Sequence, residues 1–495
     1  MELLLTSLEA KQADKYTINK LKKTSSQLMD EVGHQVFDII KKRFDNNTKV
    51  LVVCGSGGNG GDGYVIAQLL VKHNYNCDLY QASEPKNNDA INNAKKYKGQ
   101  IIREINSKYD LVIDAIYGTG CDFKLPKEII TVINKINDMN AYKISIDVPS
   151  GLNATTGSVT NVAVKCNLLI GIQFLKTGYY LGEAVKYYDE LKLIDVGIKT
   201  EKKDEFCKVF SKKDFKNIIP PRQKISNKGT YGRCAIIGGS PNFLGAPILS
   251  LSAFATLRVG AGYSTLCIPD KLYKIYALKH LENTYVLFNS NDQGNISYDE
   301  AKLEGLLKYD AIAIGMGLGV SKEVYKIIAY LLENFTGRLL IDADGLNSLS
   351  RFGVDILKKH TCEVILTPHI LEFARLNKSK DKKEILDNEL EVAKEFSKKY
   401  NLCLVLKSNV TLITYKGETI LNINGNPSLA KGGSGDVLSG IILGLIAKSK
   451  NLIKSVAFGC YILGRSADML VEKINENSLV ASEIVNNISN VLNEL

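Results

Sequence analysis

Between residues 8 and 44, apolar positions (Leu8, Ile18, Leu21, Leu28, Met29, Val32, Val36, Phe37, Ile40) are spaced among Lys, Asp and Glu, a pattern that predicts amphipathic helices. The pattern then changes. Residues 49–54 form a short β-branched run, followed by a glycine-dense loop and a helical stretch over 64–72. Short apolar runs at 77–80, 111–115, 143–148 and 166–170 alternate with polar or helix-like segments, which predicts a mostly parallel sheet covered on both faces.

From Gly197 to Arg222 the chain becomes charged (Lys199, Glu201, Lys202, Lys203, Asp204, Glu205) and then reaches Pro220-Pro221, so the domain boundary is placed there. A second alternating series follows at 233–238, 264–268, 311–314, 339–342, 363–367, 403–406, 410–414 and 419–423. No repeat of about 20–50 residues connects these runs, which argues against a solenoid. Two tandem α/β domains, 1–205 and 215–495, are the simplest organisation.

The 495 residues allow about two to four domains, and 45% hydrophobic with 23% charged residues is ordinary globular usage. Sixty-three Lys+Arg against 53 Asp+Glu leave a formal charge of +10, but the lysines are scattered. No nucleic-acid-binding motif accompanies that charge, and phosphate-bearing small molecules account for it as well. Ten cysteines without a CxxC pair exclude a zinc ribbon and fit buried thiols in a reducing cytoplasm. Glu2, Glu9 and Asp14 break any signal-peptide pattern, and apolar stretches such as 437–447 fall short of the roughly 18 residues of a membrane span. A cytoplasmic protein with no membrane partner is expected.

The candidate chemistry lies in glycine-rich text at strand ends. Gly55-Ser56-Gly57-Gly58-Asn59-Gly60-Gly61-Asp62-Gly63 follows a strand and opens a helix, where amide groups and the helix dipole favour an anion. Gly55-x-Gly57-x-x-Gly60 satisfies the dinucleotide fingerprint, yet Asp62, which can cap a helix N-terminus, would be repelled by bare pyrophosphate unless a cation intervenes or it hydrogen-bonds a neutral group, so the loop is built for something else. Asp114 runs into Ile116-Tyr117-Gly118-Thr119-Gly120, and Asp147 into Val148-Pro149-Ser150. In a parallel sheet these loops share the carboxyl end, where ligands bind, and Asn59, Asp114 and Ser150 offer oxygens to a hard cation.

In the second half, Lys431-Gly432-Gly433-Ser434-Gly435-Asp436 opens a helix. Such a glycine run makes an anion-holding nest, and Asp436 can take a proton from a hydroxyl while neighbouring amides hold a phosphoryl group. Gly238-Gly239-Ser240, Gly315-Met316-Gly317, Asp342-Ala343-Asp344 and Thr367-Pro368-His369 close other strands. Of the five histidines only His369 is expected at such a site; His34, His73, His280 and His360 read as surface or helix residues.

Both halves resemble one family, the bifunctional NAD(P)H-hydrate repair enzymes, in which an epimerase is fused to an ADP-dependent dehydratase. The resemblance runs through Leu28-Met29-Asp30-Glu31-Val32-Gly33, the loop from Gly57 to Gly63, Asp147-Val148-Pro149-Ser150-Gly151, Asn227-Lys228-Gly229-Thr230-Tyr231-Gly232, Leu244-Gly245-Ala246, Thr367-Pro368-His369 and Gly432-Gly433-Ser434-Gly435-Asp436. It implies a Rossmann-like three-layer α/β/α domain followed by a ribokinase-like α/β domain. It further implies that Gly58, Asn59, Gly60, Gly61, Asp62, Gly118, Thr119, Gly120, Cys121, Asp122, Phe123, Lys124 and Asp147 contact the hydrated nucleotide in the epimerase, with Asn59, Asp114 and Ser150 as potassium ligands. In the dehydratase, Ala246, Gly317, His369 and Asp436 would contact substrate, and Lys407, Ser408, Asn409, Val410, Thr411 and Gly435 would hold ADP, with Mg²⁺ on the phosphates. Asp436 and Asp147 are the expected catalytic groups, the partners are NADHX, NADPHX and ADP, and a homo-oligomer is expected.

Three positions depart from the family pattern. Gly58 replaces the first Asn of a paired-Asn loop, Phe123 stands where Arg is common beside Lys124, and His369-Ile370-Leu371-Glu372 replaces His-Pro-Gly-Glu. The rival readings are an ATP-dependent kinase of a small alcohol, which leaves the first domain unexplained, a non-catalytic nucleotide- or RNA-binding protein, and a dehydrogenase.

Overall fold

The computed structural model describes all residues except 106–107, 122–123, 202–205, 217, 220, 252–256, 279–280 and 380. The expected contacts Asp122 and Phe123, His280, and parts of the charged boundary (Lys202, Lys203, Asp204, Glu205, Pro220) therefore lie outside the described residues. The chain divides into two units, Glu2–Cys207 and Lys208–Leu495.

The strands of the first unit are β1 (Glu2–Leu5), β2 (Lys49–Cys54), β3 (Asn76–Gln81), β4 (Gln100–Ile102), β5 (Leu111–Ala115), β6 (Tyr142–Ile146), β7 (Cys166–Ile172), β8 (Leu175–Lys176) and β9 (Tyr188–Ile194). Among the described residues, one parallel sheet runs β4-β3-β2-β5-β6-β7-β9. Val50, Leu51, Val52 and Val53 are all fully buried. Successive strand side chains point to opposite faces, so layers cover both sides, as parallel pairing requires. The helices Ser7–Leu21 and Ser25–Arg43 each start at a capping box, Thr6 with Glu9 and Thr24 with Gln27. Leu28, Val32, Val36 and Ile40 line one buried stripe of the second helix and join the sheet's core.

The helix expected over 64–72 starts earlier, at Gly58, and runs to Lys72. Much of the supposed loop is thus helical, and Gly60 and Gly63 serve packing. A Cβ on Gly63 would fall 2.7 Å from both Ala115 Cβ and Cys54 Sγ, and one on Gly60 would meet the Gly55 carbonyl oxygen at 2.0 Å.

After β10 (Cys207–Val209), the second unit contains β11 (Arg233–Ile237), β12 (Tyr263–Pro269), β13 (Thr284–Phe288), β14 (Ala311–Ile314), β15 (Arg338–Ile341), β16 (Glu363–Leu366), β17 (Cys403–Lys407), β18 (Thr411–Tyr415) and β19 (Glu418–Asn422). Strands β13-β12-β11-β14-β15-β16-β17 are parallel, and β17-β18-β19 form antiparallel hairpins. The apolar helices Ser434–Ile446 and Leu452–Val471 pack into this unit's core.

Each sheet reverses strand order once beside its first long strand: β2 against β5 in the first unit, β11 against β14 in the second. Loops at the carboxyl ends diverge at such a point and leave a crevice. The architecture is two tandem α/β domains. No helix among the described residues is long and apolar enough to cross a membrane.

Candidate active sites

The crevice of the first unit is a cleft of about 440 Å³. Its walls include Ser56, Gly57, Gly58 and Asn59 after β2, Ile116 to Gly120 after β5, Asp147 after β6, Lys176 in β8, and Asp14 with Met29 from the two N-terminal helices.

Asp147 is its most constrained group. Its backbone adopts φ +64°, the left-handed region that non-glycine residues visit at a cost of roughly 1–2 kcal/mol. Surrounding bonds hold it there: its N–H donates to Ile170 O at 2.8 Å, and Tyr179 Oη donates to its carbonyl at 2.5 Å. Lys176 Nζ donates to Oδ1 at 2.6 Å and Thr119 N–H to Oδ2 at 3.1 Å. The carboxylate is therefore fixed between an ammonium and a loop amide.

Asp114 and Ser150 form a buried knot. Asp114 Oδ1 accepts from Ser150 Oγ at 2.6 Å and Ile116 N at 3.3 Å, and Oδ2 accepts from Ser150 N and Ser145 Oγ at 2.9 Å each. Burial raises this carboxyl's pKa, opposed by those bonds. Asn59 differs: neither its Oδ1 nor its Nδ2 has a hydrogen-bond partner, although both atoms are buried.

Gly58, Asn59, Asp62, Gly118, Thr119, Gly120 and Asp147 thus share one cleft. Gly60 and Gly61 turn inward instead: both are buried, and a Cβ on Gly61 would meet Met29 Cε and Sδ at 2.9 Å. Lys124 is exposed, and Cys121 closes a turn by donating its N–H to Gly118 O at 3.2 Å. The capping role expected for Asp62 is corrected. The N-cap of the helix is Gly57, with no side-chain cap, and Asp62 lies inside the helix, buried, with Oδ1 unpartnered. Burial, then the neighbouring Asp147 and Asp14 carboxylates, push its carboxyl well above the usual range.

In the second unit, Asp436 lies in the first turn of the Ser434–Ile446 helix, whose N-cap Gly433 has φ +98°. Asp342, buried at the end of β15, accepts from Ser439 Oγ of that helix at 2.7 Å and from Lys407 Nζ at 3.4 Å. Asp344 Oδ2 accepts from Gly319 N at 2.8 Å, tying the loop after β14 to the same cluster. A Cβ on Gly435 would fall 3.4 Å from Lys407 Nζ, so that ammonium faces the nest. Burial and the Asp342 and Asp344 carboxylates push the Asp436 carboxyl up to about 7, against the pull of Lys407. A carboxyl balanced there can exchange a proton near neutrality.

His369 caps the Ile370–Leu376 helix, its Nδ1 accepting from Leu371 N at 3.2 Å and Glu372 N at 3.4 Å, while Glu372 Oε2 accepts from His369 N at 3.0 Å. This reciprocal box shapes the turn without the family's Pro-Gly. Burial and the cations Lys407 and Arg375 hold the imidazole below its usual pKa, hence neutral. Ser408, Asn409 and Val410 form the turn between Lys407 and Thr411, which pair across β17 and β18. Gly317 and Ala246 adjoin, since a Cβ on Gly317 would approach Ala246 Cβ to 3.2 Å.

Sequence reasoning noted Asp342 and Asp344 only as supporting text, and left out Ser439, Lys176 and Asp14. The Asp-Ala-Asp-Gly spacing after a strand was a usable signal for the first two. Nothing in the sequence links Lys176 to Asp147.

The NAD(P)H-hydrate dehydratase profile matches residues 234–490, and the YjeF-related protein N-terminus profile matches residues 25–178. The bifunctional NAD(P)H-hydrate repair enzyme Nnr of Moorella thermoacetica is 29% identical, covering 99% of this chain and 97% of its own. That of Escherichia coli K12 is 29% identical, covering 95% and 90%. Among solved structures, the ADP/ATP-dependent NAD(P)H-hydrate dehydratase of Bacillus subtilis, co-crystallised with ATP and Mg²⁺, matches with TM-score 0.50 and 27% identity, over 58% of this chain and 98% of that one. A ribokinase-like superfamily protein of Enterococcus faecalis matches with TM-score 0.50 and 25% identity, over 60% and 98%.

Proposed function

The chain belongs to the NAD(P)H-hydrate dehydratase family, and from that premise we propose that it repairs hydrated nicotinamide cofactors with two activities. The N-terminal domain (1–205) interconverts R- and S-NAD(P)H hydrate, and the C-terminal domain (215–495) dehydrates the S form with ADP, releasing AMP and phosphate. The observation that carries the dehydratase reading is Asp436, half-buried at a glycine-opened helix N-terminus between two carboxylates and one ammonium.

The damaged ring carries a hydroxyl on the carbon beside its nitrogen, and hydroxide is a poor leaving group. Asp436 takes the hydroxyl proton as that oxygen attacks the β-phosphorus of ADP in line, and AMP leaves. The resulting phosphate ester then expels phosphate as the nitrogen lone pair forms a C=N bond, and loss of a proton from the neighbouring ring carbon forms the ring C=C and returns the π pair to nitrogen. Amides of Gly433 and Gly435 and the Lys407 ammonium face the transferring phosphoryl group. Lys407, Ser408, Asn409, Val410, Thr411 and Gly435 hold the nucleotide, while Ala246, Gly317 and His369 line the substrate side. A divalent ion such as Mg²⁺ would offset phosphate charge, with Asp342, Asp344 and Asp436 as the nearby carboxylates.

In the epimerase, Gly58, Asn59, Gly118, Thr119 and Gly120 embrace the hydrated nucleotide and Asp147 is the acid/base. A potassium ion fits Asn59, Asp114 and Ser150: the orphaned Asn59 amide supplies an unused oxygen, and one carboxylate suits a single positive charge. Bound there, it would order the loops after β2, β5 and β6. The protein works in the cytoplasm on small molecules, as a homo-oligomer.

The test supplies both hydrate epimers with ADP or ATP and follows the return of reduced-nicotinamide absorbance. Full recovery of both epimers supports both activities. Recovery of only the S form removes the epimerase, and absence of any recovery removes the dehydratase.

A further inference from the structure

The epimerase cleft contains a carboxyl that its walls leave unused. Asp14, on the Ser7–Leu21 helix, lines the same cleft as Asp147 and Lys176 but comes from a different element. Its side chain is half-buried, and among the described residues it takes no hydrogen bond. Asp147 is the opposite case, pinned by Lys176 Nζ at 2.6 Å and Thr119 N at 3.1 Å. A second feature of the cleft points to a ligand: Asp62, 7% exposed, also lines it with Oδ1 unpartnered.

Inversion by loss and re-addition of the hydroxyl needs proton transfer on both faces of the ring. A single carboxylate reaches one face. Two carboxyls, one protonated and one ionised, supply an acid on the departing side and a base on the arriving side, as in inverting glycoside hydrolysis. Resting on the assignment of this cleft to the epimerase, we propose that Asp14 is the second catalytic residue of epimerisation, the acid that works against the Asp147 base.

The step balances. The Asp14 carboxyl proton passes to the ring hydroxyl, the C–O bond breaks as the ring-nitrogen lone pair becomes a C=N bond, and water departs. A water then adds to the other face of the same carbon, its proton goes to the Asp147 carboxylate, and the π pair returns to nitrogen. One proton has moved from Asp14 to Asp147, and exchange with solvent resets the pair. The reverse direction uses the same groups in exchanged roles.

The electrostatics favour this division of labour. Burial and the Asp147 charge push the Asp14 carboxyl up to about 6, with Lys176 opposing. Asp62 and Lys11 are the other charged side chains lining the cleft. Asp147 in turn faces the Lys176 ammonium at 2.6 Å, a charge-assisted contact that Asp14 lacks.

The test uses the full chain with Asp14→Asn, Asp14→Glu and, in parallel, Asp147→Asn, starting from the R-hydrate. Turnover should fall by roughly 10²–10⁴-fold in Asp14→Asn and recover substantially in Asp14→Glu. The alkaline limb of the wild-type epimerase profile, beginning near pH 6 as Asp14 loses its proton, should vanish in Asp14→Asn. Turnover within about threefold of wild type, or a loss confined to KM with the alkaline limb intact, would overturn the role of Asp14. If Asp147→Asn also keeps its turnover, the assignment of the cleft itself fails; if only Asp14→Asn keeps it, the failure belongs to this inference alone.

Discussion

Lys176 and Asp147 form an ion pair of 2.6 Å whose side chains are only 4% and 11% exposed. Such a pair contributes little net stability, but removing one partner leaves a buried charge and costs about 3–5 kcal/mol. Lys176→Met should therefore lower the melting temperature and slow epimerisation while dehydration of S-hydrate continues. Calorimetry and an epimer-interconversion assay check this, and an unchanged epimerisation rate would remove Lys176 from the site.

Asp114 organises four donors around one carboxylate, while the buried Asn59 amide has no partner. Asp114→Asn removes the negative charge at nearly constant shape. The potassium concentration for half-maximal epimerase activity should rise by about tenfold or more, the equivalent of ~1.4 kcal/mol of lost cation affinity. Titrating activity with potassium reads this directly, and an unshifted curve would place the ion elsewhere.

Dehydration should depend on pH through Asp436, whose carboxyl is held up at about 7. A base works only when ionised, so turnover should fall as pH drops through that value. Asp342→Asn removes a nearby negative charge, which eases ionisation of Asp436 and should move the acidic limb to lower pH. A limb moving upward, or staying fixed, would contradict the electrostatic account.

Gly63 packs where a side chain has no room, with Ala115 Cβ and Cys54 Sγ each 2.7 Å from any added Cβ. Gly63→Val should destabilise the first unit by about 1–3 kcal/mol through overpacking, measurable by denaturant titration. An unchanged unfolding midpoint would show that the helix can shift off the sheet.

The parallel strands were legible because burial on both faces writes them as continuous apolar runs, as in 49–54 and 111–115. The edge strand β9 was not: within Tyr188–Ile194 the exposed Asp189, Glu190 and Lys192 interrupt the apolar residues, so no such run exists. β1 escaped notice because its partner β8 is two residues long and some 170 positions away, Leu4 pairing with Leu175. The glycines of 55–63 signalled a special turn, but only the packing shows which serve the cleft and which serve helix-on-sheet contact. Asp147 was legible as a strand-end acid; Lys176 and Asp14 were not, because each becomes relevant only once the fold brings it to the same cleft.

On the proposed mechanism, the Asp436 carboxylate abstracts the hydroxyl proton for phosphoryl transfer from ADP. The most direct measurement is single-turnover conversion of S-hydrate by Asp436→Asn with saturating ADP, following AMP and reduced nicotinamide together. Both products should form roughly 10²–10⁴ times more slowly than in wild type while ADP binding persists. AMP and reduced cofactor appearing at near wild-type rates would contradict it.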